Sequence, residues 1–219
     1  QAVSILSGRV RRYDSLDSIA ARLDQPQRIL ALGNGPSSEQ ASVLACEYDV
    51  LFRANHSWLK RATLIDAEVV FTGQKSSMKR LPKKIIGVFD EDTEQVLLAT
   101  RAASLLQQPL EYLVFERVLE QRSWGANRAY RPTSGAIMLA LAVALQPAQL
   151  HVAGMDMFRH PEGSYPGDQI TANAYTPAHA FDHELDFIMA VLQDDRGELV
   201  IHGDILAAAW ADHQRSQQQ

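Results

Sequence analysis

Short runs of apolar and β-branched residues recur along the chain, at residues 28–32, 49–53, 68–71, 85–89, 149–153 and 198–201. Each is about strand length and reads as nearly continuous rather than alternating. That pattern marks strands buried on both faces, as in a parallel sheet under helices. Helical periodicity fills the intervals. Residues 93–107 carry Val96, Leu97, Ala99, Thr100, Ala103 and Leu106 at three- and four-residue steps, and Pro109 stops them. Residues 110–120 are read as continuing that helical theme. Residues 134–145 are apolar nearly all round, which predicts a buried helix. A further helix is expected over 179–192, and a last one capped by Asp204 and running through Trp210. The expected fold is α/β: a single Rossmann-like, doubly wound, mostly parallel sheet with helices on both faces. No linker divides the chain, so residues 1–219 are read as one domain. Residues 72–84 and 156–178 resist assignment and are read as long, functional loops.

Composition narrows the function. Lys and Arg number 21 against 26 Asp and Glu, a formal charge of −5, which argues against a nucleic-acid partner. Cys46 is the only cysteine. It excludes an internal disulfide framework and a multi-cysteine zinc site, and it is compatible with a reducing cytoplasm. No apolar run reaches the ~18 residues of a membrane span. The chain opens on Gln1 rather than Met, with no signal peptide, and is read as trimmed. The basic run 75–84 is usually just a solvated face. The alternative is a contact with anionic lipid or an acidic glycan, which would make the protein peripheral at the inner membrane. A homo-oligomer stays open.

Four segments carry chemistry. Gly33-Asn34-Gly35-Pro36-Ser37-Ser38 follows the 28–32 strand, where glycines let the backbone approach a ligand. Ser37 or Ser38 is expected to cap the next helix, whose free N–H groups favour an anion. The segment is neither the dinucleotide fingerprint nor a Walker loop; an ordinary Gly-Pro turn is the alternative. Phe52-Arg53-Ala54-Asn55 ends the second run, and its Asn55 is suited to a base or ribose, or simply to a turn. Arg131-Pro132-Thr133-Ser134-Gly135 precedes the apolar helix, placing a second helix N-terminus beside Arg131. Gly154-Met155-Asp156-Met157-Phe158 ends a late strand and leads into a loop with Tyr165, Asp168, Asn173 and Tyr175. His179 then opens a helix, where a neutral imidazole can accept a proton from an alcohol. His160, His179 and His183 with Asp156, Asp168 and Asp182 suggest a metal, but the HExxH order is absent and no metal site is assigned. No cofactor is assigned. His151 and His202 are read as structural, and Cys46 as buried.

Taken in order, these segments resemble the bacterial sialyltransferases of glycosyltransferase family 42. The resemblance rests on Gly-Asn-Gly-Pro-Ser after the first strand, Phe-Arg-x-Asn after the second, and Arg-x-Thr-Ser-Gly before an apolar helix. A strand ending in Gly-x-Asp, a Tyr-bearing loop and a His opening a helix complete it, over roughly residues 28–210. It implies a variant of the GT-A-like fold. The implied reaction is metal-independent and inverting, and moves sialic acid or a related ulosonic acid such as Kdo. The donor is a CMP-activated acidic sugar and the acceptor a glycan hydroxyl. His179 corresponds to the general base and Arg131 to an arginine near acceptor and donor. Tyr165 corresponds to one of two tyrosines that stabilise the departing phosphate. Gly33, Asn34 and Gly35 correspond to the loop contacting CMP, with Pro36 and Ser37 continuing it. Asn55, Thr133, Ser134 and Gly135 correspond to donor-site positions, and Asp156 is counted with them.

The chain also departs from that pattern. Phe158 stands where the second phosphate-binding tyrosine is expected. Gly73 stands near the position of a donor-contacting asparagine, so that contact is either lost or moved to Gln74. Tyr175 lies one position from the tyrosine that precedes the base. The stretch 123–131, with Trp124, Asn127, Arg128, Tyr130 and Arg131, is either a lid over an acidic donor or a solvated loop. Two other readings stand beside the transferase. One is a phosphoryl-transfer enzyme, in which Asp156 is the one good magnesium ligand at a strand end. The other is a non-catalytic nucleotide-binding module.

Overall fold

The computed structural model describes residues 8–81, 84–105, 107–120, 122, 124, 130–168 and 181–218. Its centre is an eight-stranded sheet in which every neighbouring pair of strands is parallel. In chain order the strands are β1 (Val10–Tyr13), β2 (Arg28–Leu32), β3 (Val50–Ala54), β4 (Val69–Phe71), β5 (Ile85–Val88), β6 (Leu110–Val114), β7 (Gln149–Ala153) and β8 (Glu198–Ile201). Across the sheet they run β1-β6-β5-β4-β3-β2-β7-β8. The chain builds outward from β2 through β3, β4 and β5, then returns to lay β7 on the other flank of β2. The carboxyl ends of β2 and β7 therefore form a topological switch point, where doubly wound sheets open a crevice.

The helices are α1 (Leu16–Arg22), α2 (Ala41–Ala45), α3 (Lys75–Arg80), α4 (Glu91–Arg101), α5 (Phe115–Val118), α6 (Ser134–Ala144), α7 (Phe181–Gln193) and α8 (Asp204–Ser216). They cover both sides of the sheet. Ile29 and Ala31 of β2, Phe52 of β3 and Leu150 and Val152 of β7 pack in one core with α6 and α7. Leu30, Leu32, Leu51 and Ala153 pack in the opposite core with Val43 of α2, Met78 of α3 and Leu97 of α4. This two-sided burial is why the strands read as continuous apolar runs. In α6 every residue from Ala136 to Ala144 is buried, as its all-round apolarity requires.

Several boundaries differ from the sequence reading. Residues 110–114 form β6, not helix; Leu110, Tyr112, Leu113 and Val114 are all buried, and only the four residues of α5 are helical after them. Sheet partners on both sides, β1 and β5, outweigh the helical spacing there. Strand β1 escapes the apolar-run criterion because three of its four positions are polar or only half-buried: it is an edge strand. Part of the 72–84 segment is the helix α3, which turns Ser77 and Met78 inward. Asp204 is the first residue of α8 rather than its cap, since Gly203 holds the cap position, and the helix extends past Trp210 to Ser216.

Candidate active site

The loop after β2 and the turn after β7 are in direct contact. Gly33 N–H donates to Ala153 O (2.8 Å) and Gly35 N–H to Gly154 O (2.9 Å). A Cβ on Gly33 would stand 2.2 Å from Gly154 O, and one on Gly35 would stand 2.3 Å from Asp156 Oδ2. Only glycine permits this approach. Asp156 is 5 % exposed, and its Oδ2 accepts the Ser37 N–H at 2.9 Å. The Ser37 hydroxyl in turn accepts the Gly154 N–H at 2.9 Å.

Two arginines brace the same loop from beneath. Arg53 is 1 % exposed and donates to Gly33 O (3.1 Å) and Leu64 O (2.9 Å) while stacking on Trp58. Burial, with the neighbouring Arg61 charge adding to it, pulls the Arg53 guanidinium down to about 9. Arg61 donates to the Ser38 hydroxyl (2.6 Å) and Asn34 O (2.7 Å). Asn34 then projects its own side chain across to β3, its Nδ2 donating to Ala54 O at 2.8 Å. Its Oδ1 is buried with no hydrogen-bond partner among the described residues.

These contacts change the reading of the first motif. Pro36–Glu39 is a single 3₁₀ turn with no side-chain cap, and α2 begins after Gln40. Ser37 and Ser38 are buried and bonded into the protein, so neither caps a helix. The Ser37 N–H expected to face an anion already holds the Asp156 carboxylate.

A cavity of about 100 Å³ opens at this junction. Its floor is Gly33, Asn34 and Gly35 with Ala54 and Asn55 from the end of β3. One wall is Thr133, Ser134 and Gly135 at the start of α6, and another is Gly154 to Phe158 with Tyr165. Asn55 has left-handed backbone (φ 56°), which asparagine tolerates better than most residues, and its Oδ1 accepts from the Thr72 hydroxyl (3.0 Å). Thr133 caps α6 as the sequence suggests, its hydroxyl oxygen accepting the Ala136 N–H at 3.2 Å. Burial first, then the nearby Asp168 charge, pushes the Tyr165 hydroxyl up to about 12. It therefore stays protonated across the physiological range.

The structure thus brings Gly33, Asn34, Gly35, Asn55, Thr133, Ser134, Gly135, Asp156, Phe158 and Tyr165 to one cavity. Pro36 and Ser37 lie behind the lining. Arg131 stands apart as well: it donates to the Thr93 hydroxyl (2.6 Å), lies 3.8 Å from Asp90 Oδ2 and stacks over Phe89, beside the start of α4. His179 and Tyr175 lie outside the described residues, as do residues 125–129 of the lid candidate.

One lining residue has no place in the sequence reading. Glu184 of α7 is 2 % exposed. Its carboxylate accepts the Thr133 N–H (3.1 Å), the Thr133 hydroxyl and the Tyr130 hydroxyl. Burial raises its proton affinity to about 7, against the opposing pull of the Thr133 N–H. The signal was available: Glu184 shares a helical stripe with the buried Phe187, Ile188 and Val191, where a carboxylate is costly unless bonded.

The fold is that of known sialyltransferases. The monofunctional α-2,3-sialyltransferase Cst-I of Campylobacter jejuni superposes with a TM-score of 0.61 at 19 % identity, over 84 % of this chain and 79 % of that one. The sialyltransferase CstII of the same organism, in complex with the substrate analogue CMP-3FNeuAc, gives 0.60 at 15 % identity, over 83 % and 84 %. CstII with a trisaccharide acceptor and CMP gives 0.58 at 16 % identity, over 83 % and 84 %. No protein-family model and no curated protein sequence matches the chain.

Proposed function

We propose that this chain is a glycosyltransferase, one domain over its whole length, that moves sialic acid or a related ulosonic acid from a CMP-activated donor to a glycan hydroxyl. The reading rests on one observation. The glycine loop after β2, the N-terminus of α6 and Tyr165 meet at the switch point of a sheet that has the sialyltransferase fold. Complexes of such a fold hold CMP, a CMP-sugar analogue and a trisaccharide acceptor.

The chemistry follows from the leaving group. As the glycosidic bond to CMP breaks, negative charge grows on phosphate. The start of an eleven-residue helix favours that charge, and hydroxyl donors stabilise it further. Tyr165, held protonated, is a donor that does not titrate away. The unpaired Asn34 Oδ1 suits a ligand N–H or O–H. His179 is assigned as the base that takes the acceptor proton as the hydroxyl attacks the anomeric carbon from the face opposite CMP, inverting it. No step in this scheme needs a metal. The phosphoryl-transfer alternative loses support, because Asp156 Oδ2 is already engaged by the Ser37 N–H. Phe158, without a hydroxyl in the cavity wall, favours the non-catalytic alternative.

Binding and hydrolysis of a panel of CMP-sugars by wild type and His179→Ala test the proposal. The expected result is CMP release from one donor, lost in the variant while CMP still binds. CMP binding with no turnover of any donor, even with mixed glycan acceptors, would establish the non-catalytic module instead. Absence of CMP binding would overturn the site assignment altogether.

A further inference from the structure

On the face of the sheet covered by α2, away from the sugar-nucleotide cavity, three potential metal ligands converge. They are Cys46, at the C-terminal cap of α2, His151, in the middle of β7, and His202, just beyond β8. A ligand atom from each lies within 4.8 Å of the other two. None of the three lines the cavity. His151 is buried, and the other two are half-buried.

The hydrogen bonds around the cluster fix which nitrogens face inward. The Gln149 amide donates through Nε2 to Glu198 Oε2 (2.9 Å), so its Oε1 is the atom presented to His151 Nε2 at 3.0 Å. An amide oxygen only accepts, so His151 Nε2 carries the proton and Nδ1 presents a lone pair. That lone pair faces His202 Nε2 at 3.0 Å. The other nitrogen of His202, Nδ1, sits 3.0 Å from the Ser42 hydroxyl of α2. Each imidazole thus turns one nitrogen toward the cluster and rests the other on a fixed polar partner, the arrangement that orients histidine ligands in metal sites.

We propose that Cys46, His151 and His202 bind a zinc ion through Sγ, Nδ1 and Nε2, with a water completing the tetrahedron. One thiolate and two imidazoles form a borderline-soft donor set, suited to zinc rather than magnesium or calcium. In a tetrahedral zinc site such donors stand about 3.3–3.6 Å apart, so the two imidazole nitrogens, now 3.0 Å apart, open slightly, and no pair of ligand atoms starts more than 4.8 Å apart. Binding is proton-balanced. The Cys46 thiol loses its proton to solvent as the S–Zn bond forms. The His202 proton moves from Nε2 to Nδ1, where it is donated to Ser42 Oγ. One proton is released per zinc. The ion would clamp α2 to β7 and β8 immediately behind the glycine loop. A Cβ on Gly203, next to His202, would stand 2.6 Å from Ser37 Cβ, which shows how tightly that end of the clamp abuts the loop. The site is independent of the transferase proposal.

The test is titration of untagged, chelator-stripped protein with Zn²⁺ and Co²⁺. One equivalent should bind, with one proton released. The cobalt form should show a near-ultraviolet thiolate-to-metal charge-transfer band. Bound zinc should protect Cys46, the sole thiol, from a thiol reagent in the wild type. Cys46→Ser should abolish the band, and His202→Ala should weaken binding at least tenfold. Gln149→Leu, which removes the Nε2 partner of His151 together with the bond to Glu198 and leaves all three ligands in place, should weaken it 10- to 100-fold. His160→Ala, in the loop after β7, should leave it unchanged. Stoichiometric binding that survives both Cys46→Ser and His202→Ala would overturn the proposal. So would a wild type that binds no zinc or whose thiol is not protected, results that do not depend on any variant folding.

Discussion

Asp156 Oδ2 accepts the backbone N–H of Ser37 at 2.9 Å, 119 residues away in sequence, and so joins the loop after β2 to the turn after β7. The contact is buried. It occupies a backbone donor that the sequence offers to a ligand anion, and it converts the candidate phosphate loop into a rigid floor for the cavity.

Asp156→Ala would leave the Ser37 N–H buried without a partner. An orphaned donor of this kind costs about 1–3 kcal/mol, more where the lost partner was charged. The expected result is a drop in that range in the unfolding free energy from a denaturant titration. Asp156→Asn keeps an oxygen that can accept and should recover part of the loss.

Gly33→Ala tests the close approach itself. The new methyl would meet Gly154 O at 2.2 Å, and a backbone atom cannot swing aside as a side chain can. Overpacking of this sort costs about 1–3 kcal/mol. A lower melting temperature together with weakened CMP binding is expected. Unchanged values for both would show that the loop and the β7 turn are not in contact.

Tyr165→Phe removes one hydroxyl and little else. Loss of a single preorganised donor to a developing oxyanion lowers kcat by roughly 10²–10³. The same order is expected here, with the affinity for CMP less affected than turnover. Because burial holds the hydroxyl near 12, the wild-type rate should show no loss assignable to Tyr165 between pH 6 and 9.

Glu184 gives a pH signature of stability. Its folded proton affinity, about 7, lies above the usual glutamate value of 4.5, so the folded state holds the proton more tightly than the unfolded chain. Its contribution is therefore fully present below about pH 4.5 and is lost as pH rises toward 7. The loss is roughly 3 kcal/mol at most, at 1.36 kcal/mol per pH unit of difference. Glu184→Gln should flatten this part of the curve of unfolding free energy against pH while keeping an oxygen for the Thr133 N–H. An unchanged slope would mean that Glu184 titrates as an ordinary carboxylate.

Much of the architecture was legible in the residues themselves. Strands β2 and β7 fall where their apolar runs lie, and α6 where the all-round apolar segment follows Thr133. Local patterning suffices there because burial on both faces, or all round a helix, leaves an unmistakable composition. Strands β1 and β6 were not legible. An edge strand need bury only one face, and β6 carries a spacing that also suits a helix until β1 and β5 bind it. The glycines announced a close backbone approach, read as one to a ligand; the structure makes Gly33 and Gly35 the approach of one loop to another, at Gly154 and Asp156.

The identities of the partners were decided by tertiary structure alone. Nothing local pairs Asp156 with Ser37, Glu184 with Thr133, or Arg131 with Thr93. Each joins residues at least 38 positions apart, brought together by where the sheet sets its strand ends. Cys46, His151 and His202 are likewise unremarkable in sequence and become a cluster only because the end of α2 is brought to β7 and to the residue after β8. The sequence by itself determined which segments are buried, because hydrophobic patterning is a property of each segment. Which polar groups meet depends on strand order, and the order β4-β3-β2-β7-β8 is fixed only when all the buried faces are satisfied together.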